Sequence, residues 1–158
     1  MQDVLADNSA RWERQPPASQ HAIDSLRAAV PWKLPAEYLA FLSYSNGGEG
    51  ELGIRPGWFH IWSAEEVVGV NESYQVAEYH PGYFGFGTSL GGVMCAFDML
   101  AGPPHKVYGI PSDSIDPVDI DLVADDFLAF VRAMGRPWEE GRKWAEENDY
   151  PSVVGPGA

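Results

Sequence analysis

Hydrophobic and polar positions alternate along this chain in two rhythms, one helical and one extended. Ala22, Ile23, Leu26, Ala29 and Val30 fall at the three-to-four-residue spacing of an amphipathic helix. Ser19 stands where an N-cap is needed, and Pro31 stops the run. A second helix is predicted from Pro35, the proline occupying the first helical position, where its missing N–H costs nothing. Glu37 suits the positive end of that helix, and Tyr38, Phe41 and Leu42 form its apolar stripe. Asn46-Gly47-Gly48 supplies a left-handed C-cap, so Glu49 and Glu51 read as part of a turn.

Phe59 to Trp62 reads as a short strand. Ser63-Ala64-Glu65-Glu66 is a capping box that opens a third helix through Val67, Val70, Asn71 and Tyr74. Three strands follow, Tyr83 to Phe86, Val93 to Asp98 and Lys106 to Ile110. Gly87, Gly91-Gly92 and Gly102-Pro103-Pro104 punctuate them as antiparallel turns would. An acidic linker leads to a helix over Ala124 to Met134, and a last amphipathic stretch carries Trp138 and Trp144. Helices before and after a run of short strands predict an α+β fold with an antiparallel-rich central sheet. The expected organisation is an N-terminal arm over 1–18, one domain over 19–136, and a helical extension over 137–158. The tail from Val153 to Ala158 is expected to be disordered.

Composition narrows the picture. A chain of 158 residues, 45% hydrophobic, suits one domain with a full core. The single cysteine, Cys95, sits in the apolar run Val93 to Phe97 and reads as a buried, inert thiol. One cysteine allows no internal disulfide and no thiolate metal cage. The opening residues Met1 to Asp7 are acidic and carry no apolar export signal, so the expected location is the cytoplasm. Ten Lys and Arg face 23 Asp and Glu, a net charge of −13. Such a surface repels nucleic acid and anionic membrane and attracts cationic protein.

The search for catalytic chemistry yields little. Gly87-Thr88-Ser89-Leu90-Gly91 matches the nucleophile-elbow pattern, but that device needs a strand turning into a helix. Here a strand pattern follows, and His105 lies too close in sequence for the usual hydrolase order; a hairpin turn is the better reading. His21, His60, His80 and His105 are scattered, with no helical i, i+4 pair for zinc. Asp113, Asp116, Asp119, Asp121, Asp125 and Asp126 lack the ligand spacing and glycine of a calcium loop. Glu65-Glu66 and Glu139-Glu140 read as charges at helix beginnings. Tyr79, Tyr83, Phe84 and Phe86 read as core rather than as a base-stacking platform. No metal, cofactor or catalytic residue is expected.

Leu34-Pro35-Ala36-Glu37-Tyr38-Leu39-Ala40-Phe41-Leu42, followed by Ser45-Asn46-Gly47-Gly48, resembles the leading signature of the SUKH superfamily. The order of elements downstream resembles it too, down to Ala124-Asp125-Asp126-Phe127-Leu128-Ala129-Phe130-Val131, so the likeness spans residues 20 to 134. That superfamily includes a fungal cell-wall assembly regulator and many bacterial immunity proteins. Members often carry a further acid before the second hairpin strand, where this chain has Thr88 to Gly92. The resemblance implies an α+β protein-binding domain, non-catalytic, of the kind that neutralises a toxin, often a nuclease. With the charge balance it points to Glu49, Glu51, Asp113, Asp116, Asp119 and Asp121 as a face for a basic toxin domain. The rival expectations are a regulatory scaffold or small-ligand-binding module and, more remotely, a serine hydrolase built on Ser89.

Overall fold

The computed structural model describes residues 11–148; the tail from Val153 lies outside them. Seven strands form one sheet, antiparallel throughout, whose spatial order equals chain order. They are β1 (Trp12–Arg14), β2 (Gly48–Glu51), β3 (Trp58–Ile61), β4 (Tyr83–Thr88), β5 (Val93–Asp98), β6 (Val107–Pro111) and β7 (Asp121–Ala124). Helices α1 (Gln20–Ala29) and α2 (Ala36–Tyr44) lie between β1 and β2. Helices α3 (Val67–Ser73) and α4 (Val76–Tyr79) lie between β3 and β4. After the sheet come α5 (Phe127–Ala133) and α6 (Glu139–Glu147). The fold is α+β.

Local signals place most of these elements. The Ser19 hydroxyl accepts from the Ala22 amide and starts α1. The Ser63–Glu66 box is reciprocal: Glu66 accepts from the Ser63 amide, and Ser63 accepts from that of Glu66. Pro35 is the cap of α2 rather than its first helical residue, and its carbonyl accepts from the amides of Tyr38 and Leu39.

Four expectations need correcting. The Gly48–Glu51 segment is a strand, not a turn; Gly47 (φ +94°) bends the chain after α2, and Gly48 (φ +142°) opens the strand. Gly48 and Gly50 face Trp12 across the sheet, and a Cβ on either would lie within 2.7 Å of the tryptophan side chain. Glycine is therefore the inward residue of this strand, which hides its pattern. The third helix is broken at Tyr74–Gln75, where Gln75 adopts φ +54° and α4 begins afresh. Ala124 ends β7 and does not begin a helix, because Asp126 caps α5 by accepting from the Ala129 amide. Within the segment read as an arm, Trp12–Arg14 is the edge strand, and Trp12 is buried against Phe41 and Phe59.

The core lies between the sheet and α1, α2 and α5. Phe86 stacks on Phe97 at 4.6 Å between centroids, and Tyr38, Phe127 and Phe130 close over that pair edge-on or tilted. Edge-to-face packing of this kind adds about 0.5–1.5 kcal/mol per pair beyond burial. Cys95 is fully buried among these residues, and burial pushes its thiol up to about 12, so it stays protonated and unreactive.

Two substitutions test this packing. Gly50→Ala puts a methyl 2.6 Å from Trp12 Cβ and is expected to lose about 1–3 kcal/mol in urea unfolding. Tyr38→Phe is expected to match or exceed the wild-type midpoint, because the buried Tyr38 hydroxyl has no partner among the described residues and an unpaired buried group costs about 1–3 kcal/mol. A clear loss of stability on that change would disprove the reading of the hydroxyl as unpaired.

Candidate binding face

Since strand residues alternate between faces, sealing one face with aromatics assigns the other to polar and solvent-facing positions. One line of directly opposed residues crosses six strands on that second face: Glu13, Glu49, His60, Thr88, Met94 and Ile110. At about 4.8 Å per strand, the line runs roughly 19 Å from Glu49 to Ile110. Helices α3 and α4 cover only part of this face. Asn71 holds α3 there by accepting from the Gly85 amide and donating to the carbonyls of Gly85 and Val67. Val67 and Val76 are buried beneath the two helices.

Beside those helices the face opens into a groove of about 380 Å³. Met94, Ile110 and Val76 line it, with Tyr74 and Tyr79 on the helical side and Ile115 on the other. His80, Thr88, Ser112 and Ser114 contribute its polar atoms. Partial burial pushes His80 below its ordinary value, which favours the neutral ring. Tyr79, expected in the core with Phe84 and Phe86, is exposed here, and Tyr83 is half-buried against Tyr108; the two phenylalanines are buried.

The six acids singled out from the sequence take different places. Glu49 lies on the open face, half-exposed, with Oε2 3.4 Å from His60 Nδ1. Glu51 also lies in β2, but its carboxylate is engaged inside the molecule. It accepts from the Trp138 amide at 3.0 Å and pairs with Arg142 at 3.1 Å, tying α6 to the sheet. Asp113 is exposed between the groove residues Ser112 and Ser114. Asp116 and Asp119 fold back on Ser114: its hydroxyl donates to Asp119 and accepts from the Asp116 amide. Asp116 also caps the short 3-10 turn Pro117–Asp119. Asp121 is exposed at the start of β7, opposite Gly109. The fold thus brings Glu49 and the Asp113–Asp119 loop to the two ends of one face and turns Glu51 to a structural use.

A charge pattern went unread in the sequence. Residues 56–131 contain eleven Asp and Glu but one cation, Lys106; the other nine Lys and Arg lie outside that span. The same span supplies β3 to β7, α3, α4 and the whole groove. The gap between Arg55 and Lys106 was the available signal.

Ser89 has a structural use as well. Its hydroxyl accepts from the amides of Gly91 and Val93, both at 3.1 Å, and closes the β4–β5 turn. Strand β5 follows directly, so the strand-to-helix elbow is not formed. Among the described residues no group of three or more His, Cys, Asp or Glu side chains is placed to hold a metal ion. Nor is any described helix long and apolar enough to cross a membrane.

The profile of the SMI1 / KNR4 family (SUKH-1) matches residues 17–133. The chain belongs to that family. The matched SUKH-1 region runs from α1 to the end of α5, and so contains the groove; β1 and α6 lie beyond it. No curated protein sequence matches the chain significantly. Within this SUKH-1 member the signature residues Tyr38 and Phe41 are fully buried. Asn46 accepts from the Ala64 amide and donates to Glu65, joining the end of α2 to the start of the α3 box. The family signature is thus spent on packing and on chain connection.

The two acids of β2 are separable by mutation. Glu51→Ala is expected to cost about 1–2 kcal/mol and to lower hydrogen-exchange protection across α6 while β3 to β6 keep theirs. Glu49→Ala, on the open face, is expected to stay within about 0.5 kcal/mol of wild type.

Proposed function

We propose that this chain is a non-catalytic immunity-type protein of the cytoplasm that neutralises a cognate toxin by occupying a cationic surface of it. Membership of the SUKH-1 family supports a binding role of this kind. The observation that carries the charge argument is the partition over residues 56–131, eleven carboxylates against Lys106. Carboxylates at both ends of an open sheet face favour a partner of opposite sign and speed its encounter. A toxin domain that handles nucleic acid presents that sign, because it must hold phosphates. Neutralisation then requires only that this face cover the phosphate-binding surface.

The test begins with the neighbouring gene. If it encodes a secreted protein with a C-terminal toxin domain, that domain is produced in a bacterial host with and without this chain. Co-production is expected to restore growth, and the purified pair is expected to weaken at least tenfold between 50 and 500 mM NaCl. Arrested growth at equal expression would sink the immunity reading and favour a regulatory scaffold with other partners. Salt-independent binding would remove the electrostatic half of it.

A further inference from the structure

Carboxylates attract a basic partner from a distance, but exposed charge pairs hold it only weakly. Tight interfaces depend on a few apolar or aromatic anchors in desolvated pockets. The open-face groove has the shape and lining for such an anchor. Its volume of about 380 Å³ falls within the range of about 300–1,000 Å³ typical of pockets that enclose a ligand. Its walls are Tyr74, Val76, Tyr79, Met94, Ile110 and Ile115, and no lysine or arginine lines it. Ile115 is 66% exposed and Tyr74 49%, so the groove's upper walls are apolar surface that meets water, over a floor of buried Val76, Met94 and Ile110.

Carboxylates border this apolar patch along one side. Asp113, Asp116 and Asp119 lie in the loop that follows β6, the last two bonded to the groove residue Ser114. An apolar slot beside a row of negative charge selects one kind of occupant. A second copy of this chain would bring the same negative span and be repelled, and nucleic acid or a free anion would be repelled likewise.

We propose that the groove receives one large apolar side chain, aromatic or long aliphatic, from a partner segment in which lysines or arginines flank that residue. This rests on the cationic-partner reading above and names the part of the partner that is recognised. The apolar side chain enters between Tyr79 and Ile115 over Met94 and Ile110. The flanking cations reach Asp113, Asp116 and Asp119 on the rim.

A peptide titration followed by NMR tests the groove without any toxin. The probe is a capped peptide with a central phenylalanine between two pairs of lysines, added to the full chain with isoleucine and methionine methyls labelled. Shifts are expected at Met94, Ile110 and Ile115. Replacing the phenylalanine by alanine is expected to weaken binding at least tenfold, and replacing the lysines by glutamates to abolish it. Ile115→Arg and Leu100→Arg add the same charge at exposed apolar sites, one in the groove and one outside its lining. The first is expected to weaken the phenylalanine peptide at least tenfold and the second less than threefold; Tyr79→Ser gives a neutral check on the first. Equal binding of the alanine peptide, equal loss from both arginine variants, or shifts confined to another surface would overturn the proposal. Peptide binding in a protein that neutralises no toxin would leave the groove standing and remove only the immunity reading.

Discussion

The Phe86–Phe97 stack, capped by Tyr38, Phe127 and Phe130, decides which way every strand faces. A slip of one residue in β4 or β5 would turn these rings to solvent and the polar set inward, at a loss of about 1.5–3 kcal/mol for each ring exposed. With the aromatics committed to the helical side, Thr88 and Met94 have no choice but the open side. The neighbouring registers carry that assignment outward to Glu49 in one direction and Ile110 in the other. The open face is thereby kept in order by packing on the far side of the sheet.

The two layers use their residues differently. On the helical side, polar groups serve geometry: Ser45 bridges the Gln15 amide and the Gly47 carbonyl, and Arg14 lies over the Tyr44 ring while donating to its carbonyl. From the other face of β2, Glu51 does the same for the C-terminal helix through Arg142. On the open side, Tyr74, Tyr79 and Ile115 stay exposed beside carboxylates that either reach solvent or shape short turns. That inversion, with charge at the rim and grease in the slot, is how interfaces that must also remain soluble are commonly built.

Elements that announce themselves by local chemistry were legible in the sequence. Ser19 and Ser63 mark helix starts because capping is a short-range hydrogen bond, and the β4–β5–β6 run is readable because its apolar alternation and glycine turns are contiguous. Strand β2 was not, since Gly48 and Gly50 mean something only once Trp12, far back in the chain, is known to fill the space above them. The helical stripe of Phe127 and Phe130 is legible, and its start is set locally by the Asp126 cap; that Ala124, two residues earlier, belongs to a strand is settled only by its pairing with Val107. The groove was illegible for a stronger reason: it is assembled from α3–α4, β5, β6 and the following loop, and Ile115 joins Met94 only through the fold. Likewise Glu51 could not be told from Glu49, because the difference lies in Arg142, 91 residues away.

The sheet's strand order has a consequence for how the molecule is made. Each strand pairs with the one before it in the chain, so no strand must wait for a later one to be inserted between it and its neighbour. The sheet can grow by accretion at one edge, in the direction of synthesis, and β4 to β7 need close only short loops to do so. Two steps depart from this economy: the β1–β2 and β3–β4 pairings must each span a pair of helices. Emergence of the chain from the ribosome therefore presents those helices before the strand that follows them; α1 and α2 are synthesised ahead of most of the surface they cover, and α5 closes the core only after the last strand.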